Sequence, residues 1–454
     1  MYFDGDSIAA PATPAAESAL AIIRVSGPLC KELSAVFSGK MSIEPRKAFY
    51  GAYRSLDGVL QDCCVFIPYP QGSSYTGESM LEICCHGNPI IVRSILDDLF
   101  RRGCRAAEPG EFTRRAFLNG RMDLTQAEAV QDLIAARSRA SIDAAQRQLD
   151  GSVGRAVNSL LERLLNVIAY AEAYIDFPEE DLPPEDKDGP IAQLVSLQSD
   201  AKRLMATAPY SALLREGART VIAGLPNAGK SSLLNALLGE ERAIVSAEPG
   251  TTRDYIEERL IVGRHLLRIV DTAGLREGGG EIEDKGIEKS RQLIAHADIV
   301  ILVIDGTAPP PCQELPVSLR ELSARGLVIV AINKCDLPQE KPFDELLPGA
   351  RLIRLSAITG EGLPELRDAV CDIIDSRYKA PGQDDVLVCA RHAEALANMS
   401  DSIAQALDKM RRGEAAELAA SDLRDALGSL EQIVGRVDSE RVLDLVFSKF
   451  CIGK

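Results

Sequence analysis

The sequence lacks the residues that hold small metal-bound or disulfide-bonded domains together. It has no C-x-x-C pair and only four histidines, so no structural zinc site is expected. Its eleven cysteines are an odd number and include the adjacent pairs Cys63-Cys64 and Cys84-Cys85, which do not suit a disulfide framework. Free thiols favour a reducing compartment, and we expect a cytoplasmic protein.

Signals for membranes and for charge-driven nucleic-acid coating are also missing. No apolar run reaches the about 20 residues that a membrane span needs. The first seven residues have two aspartates where an export or import signal would have a basic start. We expect no membrane span. Lys and Arg total 51 against 67 Asp and Glu, and the net charge of −16 argues against a protein that coats nucleic acid by charge alone.

What is present is enough chain for two or three domains, since 454 residues divide at about 150 residues per domain. The first part has strand-forming runs at Leu20 to Val25, Cys63 to Ile67 and Met80 to Cys85, and a helical run at Ile90 to Arg101. These runs predict an N-terminal α+β domain over residues 1–120.

Helix-forming sequence follows. Thr125 and Glu128 form a capping-box pattern ahead of a stretch rich in Ala, Gln and Arg. After Gly151, an apolar stripe at three- and four-residue steps predicts a helix in a bundle core. Its members are Val153, Val157, Leu160, Leu164, Val167, Ala171 and Ile175. The acidic, proline-containing residues 176–188 are predicted to be a solvated connection.

Strands and helices alternate from about residue 217 to 376, which predicts a parallel α/β sheet. The predicted strands are Thr220 to Ala223, Leu266 to Val270, Ile299 to Asp305 and Leu327 to Asn333. Amphipathic helices then return at Arg391 to Lys409, Leu418 to Val434 and Ser439 to Phe450. A discontinuous helical domain that is interrupted by an α/β domain is the simplest arrangement.

A phosphate-binding loop lies near the start of the α/β region. Gly224-Leu225-Pro226-Asn227-Ala228-Gly229-Lys230-Ser231 satisfies G-x-x-x-x-G-K-[ST] between a predicted strand and a helix at Ser232 to Leu238. Backbone N–H groups of such a loop surround phosphate oxygens, the lysine reaches the outer phosphates, and the serine can ligate Mg²⁺. A nucleoside triphosphate site is therefore predicted here.

Later segments point to GTP. In Asp271-Thr272-Ala273-Gly274 the aspartate can hold Mg²⁺ through water and the glycine N–H can contact the γ-phosphate. In Asn333-Lys334-Cys335-Asp336 the last carboxylate can accept hydrogen bonds from the N1–H and amine of guanine, which adenine does not offer together. Ser356-Ala357 would add a backbone contact to the guanine oxygen.

The residues that would promote GTP hydrolysis differ from those of many small GTPases. Gly250-Thr251-Thr252-Arg253-Asp254 places Thr252 as a second protein ligand of Mg²⁺. Leu275 follows Gly274, so the glutamine with which many small GTPases orient the attacking water is missing. Glu281 or Glu283 could take its place, and a monovalent cation could supply the positive charge of an arginine finger.

Three stretches resemble the MnmE (TrmE) family of tRNA-modification GTPases, and the resemblance spans essentially the whole chain. They are the run GEFTRRAFLNGRMDL at residues 110–124 with Gln126-Ala127-Glu128-Ala129, the GTPase segments, and the terminal Cys451-Ile452-Gly453-Lys454. The resemblance implies a multidomain α/β fold. Residues 1–120 would form a folate-binding and dimerisation domain, residues 121–214 and 378–454 a helical domain, and residues 215–377 an inserted Ras-like P-loop GTPase domain.

The resemblance also implies an activity. The family hydrolyses GTP with Mg²⁺ and is activated by K⁺ when two GTPase domains meet in the homodimer. In a heterotetramer with the FAD-dependent MnmG (GidA), it adds a (carboxymethyl)aminomethyl group to C5 of the wobble uridine of certain tRNAs. The carbon comes from a tetrahydrofolate, as the 5,10-methylene or 5-formyl derivative.

Site residues carry over from the family by position. Folate contacts are implied at Arg24, Glu82, Arg121 and Lys454, where the cations suit the glutamate carboxylates and Glu82 can accept from the pterin ring. Among the two acids, the resemblance implies Glu283 as the residue that helps position water. Cys451 is a candidate nucleophile, and a buried thiol at a helix end is an equally open interpretation.

The implied nucleotide and ion contacts form a larger set. The catalytic residues would be Glu283, Lys230 and Thr252, with Mg²⁺ on Ser231 and Thr252. K⁺ would be held by Asn227, Ser246, Glu248 and Thr251. GTP would contact Asn227, Ala228, Gly229, Lys230, Ser231, Ser232, Ser246, Thr251, Thr252, Asp271, Thr272, Ala273, Gly274, Asn333, Lys334, Asp336, Ser356 and Ala357.

Two places depart from the family pattern. Residues 15–19 read Ala-Ala-Glu-Ser-Ala where relatives carry a Gly- and Arg-rich loop, so glycine flexibility and a cation are lost beside the expected folate pocket. Asn88 stands where the family more often has a second glycine after His86-Gly87.

Two other interpretations remain open from the residues. A ribosome-assembly GTPase of the Era/Der type shares the Pro-Asn-x-Gly-Lys-Ser loop, but would be expected to add a basic RNA-binding module or a second GTPase domain. The acidic charge and the single phosphate loop do not fit it. A non-hydrolysing nucleotide-gated scaffold fits poorly with a complete phosphate and Mg²⁺ set, although the missing glutamine could produce one.

Overall fold

The structure is a computed structural model that describes residues 5–38, 44, 46–176, 188–240, 257–271, 292–309, 317–338, 347–378, 382, 385–436, 440–448, 450 and 452–453. Contacts divide the chain into two units. The first comprises Met1–Gln131, Arg147–Ala201 and Glu394–Lys454, and the second comprises Asp132–Gln146 and Lys202–Ala393. The domain boundaries at residues 120, 214 and 377 stay a prediction. No helix within the described ranges is long and apolar enough to cross a membrane.

The first unit contains a six-stranded sheet with strand order β3-β4-β5-β2-β1-β6. Its strands are β1 (Ile8–Pro11), β2 (Ser18–Ser26), β3 (Phe49–Arg54), β4 (Leu60–Tyr69), β5 (Met80–Gly87) and β6 (Arg105–Ala106). Neighbours are antiparallel except for the parallel pair β1 and β6. The three strands predicted from the sequence are confirmed as β2, β4 and β5.

Two helices, α1 (Cys30–Ser38) and α2 (Pro89–Arg101), cover one face of this sheet. Alternate strand residues point to that face, and Ile23, Phe66 and Ile83 are fully buried there. Helix α2 confirms the predicted helix. Asn88 caps it, because its side-chain oxygen accepts the N–H of Ile90 at 2.8 Å. An asparagine in place of the family's glycine thus has a local structural role.

Helices follow in sequence. They are α3 (Glu111–Leu118), α4 (Leu124–Ala135), α5 (Arg139–Leu149), α6 (Ser152–Asp176), α7 (Asp188–Met205) and α8 (Ala208–Glu216). The predicted capping box of Thr125 and Glu128 is wrong. Because α4 begins at Leu124, Asp123 caps it: the N–H of Gln126 donates to Asp123 Oδ1 at 2.9 Å, and the N–H of Asp123 donates to Gln126 Oε1 at 3.0 Å.

The apolar stripe of α6 is confirmed as core. Val153, Val157, Leu160, Leu164 and Val167 are buried, and α6 packs against a later helix of the same unit, residues 416–434. The side chain of Ile175 and the predicted connection at residues 177–187 lie outside the described residues.

The second unit contains a six-stranded sheet with order β12-β11-β10-β7-β9-β8. Its strands are β7 (Ala218–Gly224), β8 (Glu257–Val262), β9 (His265–Asp271), β10 (Ile299–Asp305), β11 (Val328–Asn333) and β12 (Arg351–Arg354). The helices in this part of the sequence are α9 (Lys230–Glu240), α10 (Val317–Ala324) and α11 (Leu363–Arg377). The predicted parallel sheet is confirmed, with one antiparallel edge pair, β8 and β9.

The remaining helices are α12 (Ala390–Arg412), α13 (Ala416–Val434) and α14 (Glu440–Phe447). They confirm the predicted return to helical structure after the α/β region, and α13 is the helix that packs on α6. The fold is therefore the predicted multidomain α/β arrangement, in which helical segments lie before and after a largely parallel six-stranded sheet.

Candidate functional site

The parallel register brings the predicted nucleotide segments to one edge of the second sheet. Gly224 of β7 pairs with Val303 of β10, and Asp305 of β10 pairs with Asn333 of β11. Asp271 of β9 pairs with β7 at Ile222. Because parallel strands end at the same edge, the loops that follow them meet there. This is the usual position of a ligand site in such a sheet.

The phosphate loop closes in a way that only its glycines permit. Gly224 has φ 150°, and a Cβ atom there would lie 2.2 Å from the carbonyl oxygen of Val303. Gly229 has φ 95°, and its Cβ would lie 2.1 Å from Asn333 Nδ2. No side chain fits at either position. The exposed Asn227 between them also has a positive φ, 62°.

Lys230 occupies the inside of this loop. It is only 8% exposed, and its Nζ donates to the carbonyl oxygens of Gly224 at 3.1 Å and Leu225 at 2.9 Å. Lys230 is also the first residue of α9, and the backbone N–H groups of a helix's first turn point out of its N-terminus. The loop thus offers an ammonium group and a helix N-terminus to an anion. Ser231 and Ser232 follow and are exposed.

Asn333 joins the phosphate loop to the predicted base-binding loop. Its Nδ2 donates to the carbonyl oxygen of Ala228 at 2.9 Å, and its Oδ1 accepts the N–H of Ala357 at 3.0 Å. The side chain is buried, 3% exposed; its bond to Ala228 is buried and its bond from Ala357 is partly buried. The Ala357 N–H, expected to face the guanine oxygen, is thus engaged with Asn333, and a guanine carbonyl would have to share it.

Asp336 lies open at the same edge. Asp336 is exposed, and its carboxylate makes no hydrogen bond or ion pair within the described part of the chain. Lys334 is held differently: its Nζ donates to Asp305 Oδ2 at 2.5 Å. Ser356 shapes the neighbouring loop, since its hydroxyl accepts the N–H of Thr359 at 3.2 Å. An exposed carboxylate beside ordered neighbours can accept hydrogen bonds from the donors of a base.

Several predicted residues cannot be placed. Those outside the described residues are Ser246, Glu248, Thr251, Thr252, Thr272, Ala273, Gly274, Leu275, Glu281, Glu283, Cys451 and Lys454. Of Asp271 the structure gives the backbone at the end of β9.

A second cluster of polar side chains lies in the first unit, where β2 and β5 pair Arg24 with Glu82. Arg24 Nε and Nη2 donate to Glu82 Oε1 at 3.1 and 2.8 Å. The hydroxyl of Tyr69 donates to Glu82 Oε2 at 3.2 Å. Burial, together with the charge of Glu82, raises the pKa of Tyr69, so this phenol stays protonated. The side chains of Arg24 and Glu82 are 15% and 17% exposed.

Aromatic rings and the C-terminal segment complete this cluster. The Arg24 guanidinium carbon lies 5.4 Å from the ring centre of Tyr75 and 5.8 Å from that of Phe112, within cation–π range. Arg24 Nη1 also donates to the carbonyl oxygen of Gly453 at 3.4 Å. Arg121 instead donates to the carbonyl oxygen of Gly72 at 3.2 Å. The structure thus brings together Arg24, Glu82 and the C-terminal segment, whereas Arg121 contacts Gly72 of the loop between β4 and β5, which also carries Tyr75.

Sequence reasoning missed Tyr69, Tyr75, Phe112 and Asp305. Phe112 lies in the run at residues 110–124 that carries the resemblance, and Tyr69 shares a strand face with Ile67, the register partner of Glu82. Strand alternation could therefore have drawn attention to Tyr69. Asp305 ends a predicted strand but belongs to no motif.

Two family models match the chain. The model described as "GTP-binding protein TrmE N-terminus" matches residues 7–121, and the "MnmE helical domain" model matches residues 124–451. The chain belongs to the MnmE family. A relative from Opitutus terrae named tRNA modification GTPase MnmE is 50% identical over 99% of each chain. MnmE relatives of the same name from Akkermansia muciniphila and Chlorobium chlorochromatii are 43% and 39% identical, over 99–100% of this chain and 99% of each relative.

Proposed function

We propose that this chain, a tRNA-modifying GTPase by its family, binds GTP at the carboxyl edge of β7 and β11 and hydrolyses it with activation by K⁺. With the flavoprotein MnmG it adds an aminomethyl-type group to C5 of a wobble uridine, using a tetrahydrofolate one-carbon unit. The observation that carries the proposal is the bridge that Asn333 makes between the phosphate loop and Ala357. Matches over 99% of the chain disfavour an Era/Der-type assembly factor.

The nucleotide would lie across this edge. Lys230 and the N-terminus of α9 would face its phosphates, and Asp336 would accept hydrogen bonds from guanine. A base without the N1–H and amine donors would leave Asp336 desolvated and unpaired, which costs about 1–3 kcal/mol or more for a charged group. Discrimination against ATP follows from that loss.

Ser231 has the oxygen chemistry that a magnesium ligand needs. Ser231 offers an exposed hydroxyl directly after the enclosed Lys230, and hydroxyl and carboxylate oxygens are the ligands that Mg²⁺ prefers. We place Mg²⁺ on Ser231 and Thr252, and K⁺ on Asn227, Ser246, Glu248 and Thr251. When bound, these ions neutralise charge that develops on the phosphates. Glu283 would orient the attacking water.

The Arg24–Glu82 cluster fits a reduced folate. Glu82 is fixed by Arg24 and Tyr69 and can still accept hydrogen bonds from pterin N–H groups. The rings of Tyr75 and Phe112 lie against Arg24 and offer flat apolar surface. Arg121 and Lys454 would meet the glutamate carboxylates. The N-terminal domain would also form the homodimer, and the protein would act in the cytoplasm.

Rates of GTP hydrolysis in KCl and NaCl at matched ionic strength test the mechanism. We expect hydrolysis to be faster in K⁺ by about tenfold or more, since Leu275 replaces the water-orienting glutamine and the cation supplies about 1.4 kcal/mol or more of transition-state stabilisation. Equal rates would contradict the cation-assisted mechanism while leaving GTP binding intact.

Calorimetric titration with 5-formyl-tetrahydrofolate tests the second site. We expect measurable binding to the whole protein. A titration with neither heat nor affinity would contradict the folate assignment and leave the nucleotide site untouched.

A further inference from the structure

We infer that Asp305 is a positioning residue of the nucleotide site: it holds the Lys334 side chain in one conformation beside the base-binding residues. A guanine nucleotide would therefore bind against side chains that are already ordered. The inference rests on the proposed GTP site. Asp305 would not touch the nucleotide and would act through Lys334.

The strand ends that carry Asp305 and Lys334 are hydrogen-bonded to each other. Asp305, the last residue of β10, pairs in register with Asn333, the last residue of β11. Beyond the strands, the N–H of Gly306 donates to the carbonyl oxygen of Asn333 at 2.9 Å. Asp305 therefore sits beside the peptide that leads into Lys334, and its place depends on the same sheet that positions the phosphate loop.

The Asp305 carboxylate is held on both oxygens. Its Oδ1 accepts from the N–H of Thr307 at 2.9 Å and from the Thr307 hydroxyl at 2.7 Å. Its Oδ2 accepts from Lys334 Nζ at 2.5 Å. Burial opposes ionisation, but the hydrogen bonds from Lys334 and Thr307 outweigh it and keep the pKa of Asp305 below its ordinary value. The group is thus charged and fixed in orientation at neutral pH.

The Asp305 carboxylate is expected to order the side chain of Lys334. Its φ of 65° lies in the left-handed region that residues with a Cβ use sparingly. Its long side chain would otherwise sample many rotamers, and ordering it when a ligand binds weakens affinity. An ion pair that orders the side chain beforehand removes that loss. Because the effect acts beside the base and not at the phosphates, GDP and GTP should be affected equally.

The test uses the full chain and fluorescent GDP and GTP analogues. Asp305→Asn keeps the size of the side chain and its bonds from Thr307 but removes the charge opposite Lys334. We expect the affinity for both nucleotides to fall by about tenfold, the usual scale for a hydrogen bond to a charged group. The kcat at saturating GTP and K⁺ should stay within about twofold. Affinity equal to that of the wild type overturns the inference.

A double-mutant cycle separates positioning from a general structural role. In a Lys334→Gln background, Asp305→Asn should cause no further loss, because the partner through which it acts is gone. Additive losses would overturn the inference. Should Asp305→Asn fold poorly, Lys334→Gln alone removes the same ion pair and should weaken both nucleotides at least as much; unchanged binding would again overturn it.

A matched control lies in the same unit. Asp375 accepts from Arg264 at 2.8 Å and contacts His265 at the β8–β9 turn, away from the carboxyl edge. Asp375→Asn should leave both nucleotide affinities unchanged, and a tenfold loss there would overturn a role specific to Asp305. A wild-type protein without affinity for either nucleotide would instead remove the proposed GTP site, and this inference with it.

Discussion

The two polar clusters of this chain are built on different kinds of sheet. In the second unit, the proposed nucleotide-binding residues follow the ends of parallel strands, and short runs of sequence carry each part of the proposed site. In the first unit, Arg24 and Glu82 are 58 residues apart and meet because antiparallel β2 and β5 pair them within the strands. The residues of a site at strand ends form short motifs that can be recognised in the sequence. The residues of a site on a sheet face come from separate strands and form no such motif.

The clusters also differ in how their charges are satisfied. Asp336 is exposed and, among the described residues, unpaired, so a ligand can bind it without displacing a protein group. Arg24 and Glu82 are mostly buried and already bound to each other. Substitution should therefore affect ligand binding alone at Asp336, but both ligand binding and stability at Glu82.

The largest effect is expected at the phosphate loop. Lys230→Ala should lower kcat/KM for GTP by about 100-fold or more, because the enclosed ammonium group that we propose to face the phosphates is lost. Phosphate release at saturating K⁺ measures this. Lys202→Ala, an exposed lysine of the same unit, is the matched control and should match the wild type; a Lys230→Ala enzyme with normal activity would show that the loop is not the catalytic site.

A smaller loss should follow from Asp336→Asn. The amide replaces an acceptor by a donor opposite the guanine amine, so GTP affinity should fall by about 100-fold. Xanthosine triphosphate, which has a carbonyl oxygen there, should gain affinity. Competition binding with both nucleotides measures the change, and thermal unfolding should not move because the residue is exposed. Retained guanine preference would argue against a base-binding role.

Glu82→Gln tests the contrasting cluster. We expect folate affinity to fall by about tenfold and the free energy of unfolding to fall by about 1–2 kcal/mol, because the mostly buried Arg24 loses its counter-charge. Calorimetry and urea denaturation measure the two effects. Glu32→Gln, an exposed glutamate on α1, should change neither. Loss of binding without loss of stability would remove the difference between the two clusters.

The smallest effect concerns a structural carboxylate of the first unit. Glu111 accepts from Arg105 at 2.6 Å and from Arg115 at 3.0 Å. Burial opposes its ionisation, but the bonds from Arg105, the Glu108 N–H and Arg115 hold its pKa below the ordinary value. The folded state thus favours the ionised form, and this stabilisation is present above pH 4.5, the ordinary value, and is lost as pH falls further.

Glu111→Gln should accordingly lower the free energy of unfolding at pH 7 by about 1 kcal/mol, and the difference from the wild type should shrink below pH 4.5. Urea denaturation across the acid range measures it. The exposed Glu108→Gln three residues earlier should be neutral throughout. A difference that stays constant with pH would show that the Glu111 charge does not stabilise the fold.

The predicted strands were recovered because apolar alternation and buried parallel runs are local properties. The capping box was misplaced by two residues because Asp123 and Gln126 fit the same spacing as Thr125 and Glu128. The engagement of the Ala357 N–H by Asn333, and the Asp305–Lys334 pair, depend on how three strand ends meet. Such contacts between distant residues do not appear in any sequence window.

As a member of the MnmE family, this chain is expected to take part in GTP-dependent modification of tRNA. Mass analysis of the wobble uridine in tRNA from cells that lack the gene tests this role directly. We expect the aminomethyl-type group at C5 to be lost from these cells, and to return with the wild-type gene but not with the Lys230→Ala gene. Unchanged nucleosides in the deletion strain would contradict the function proposed here.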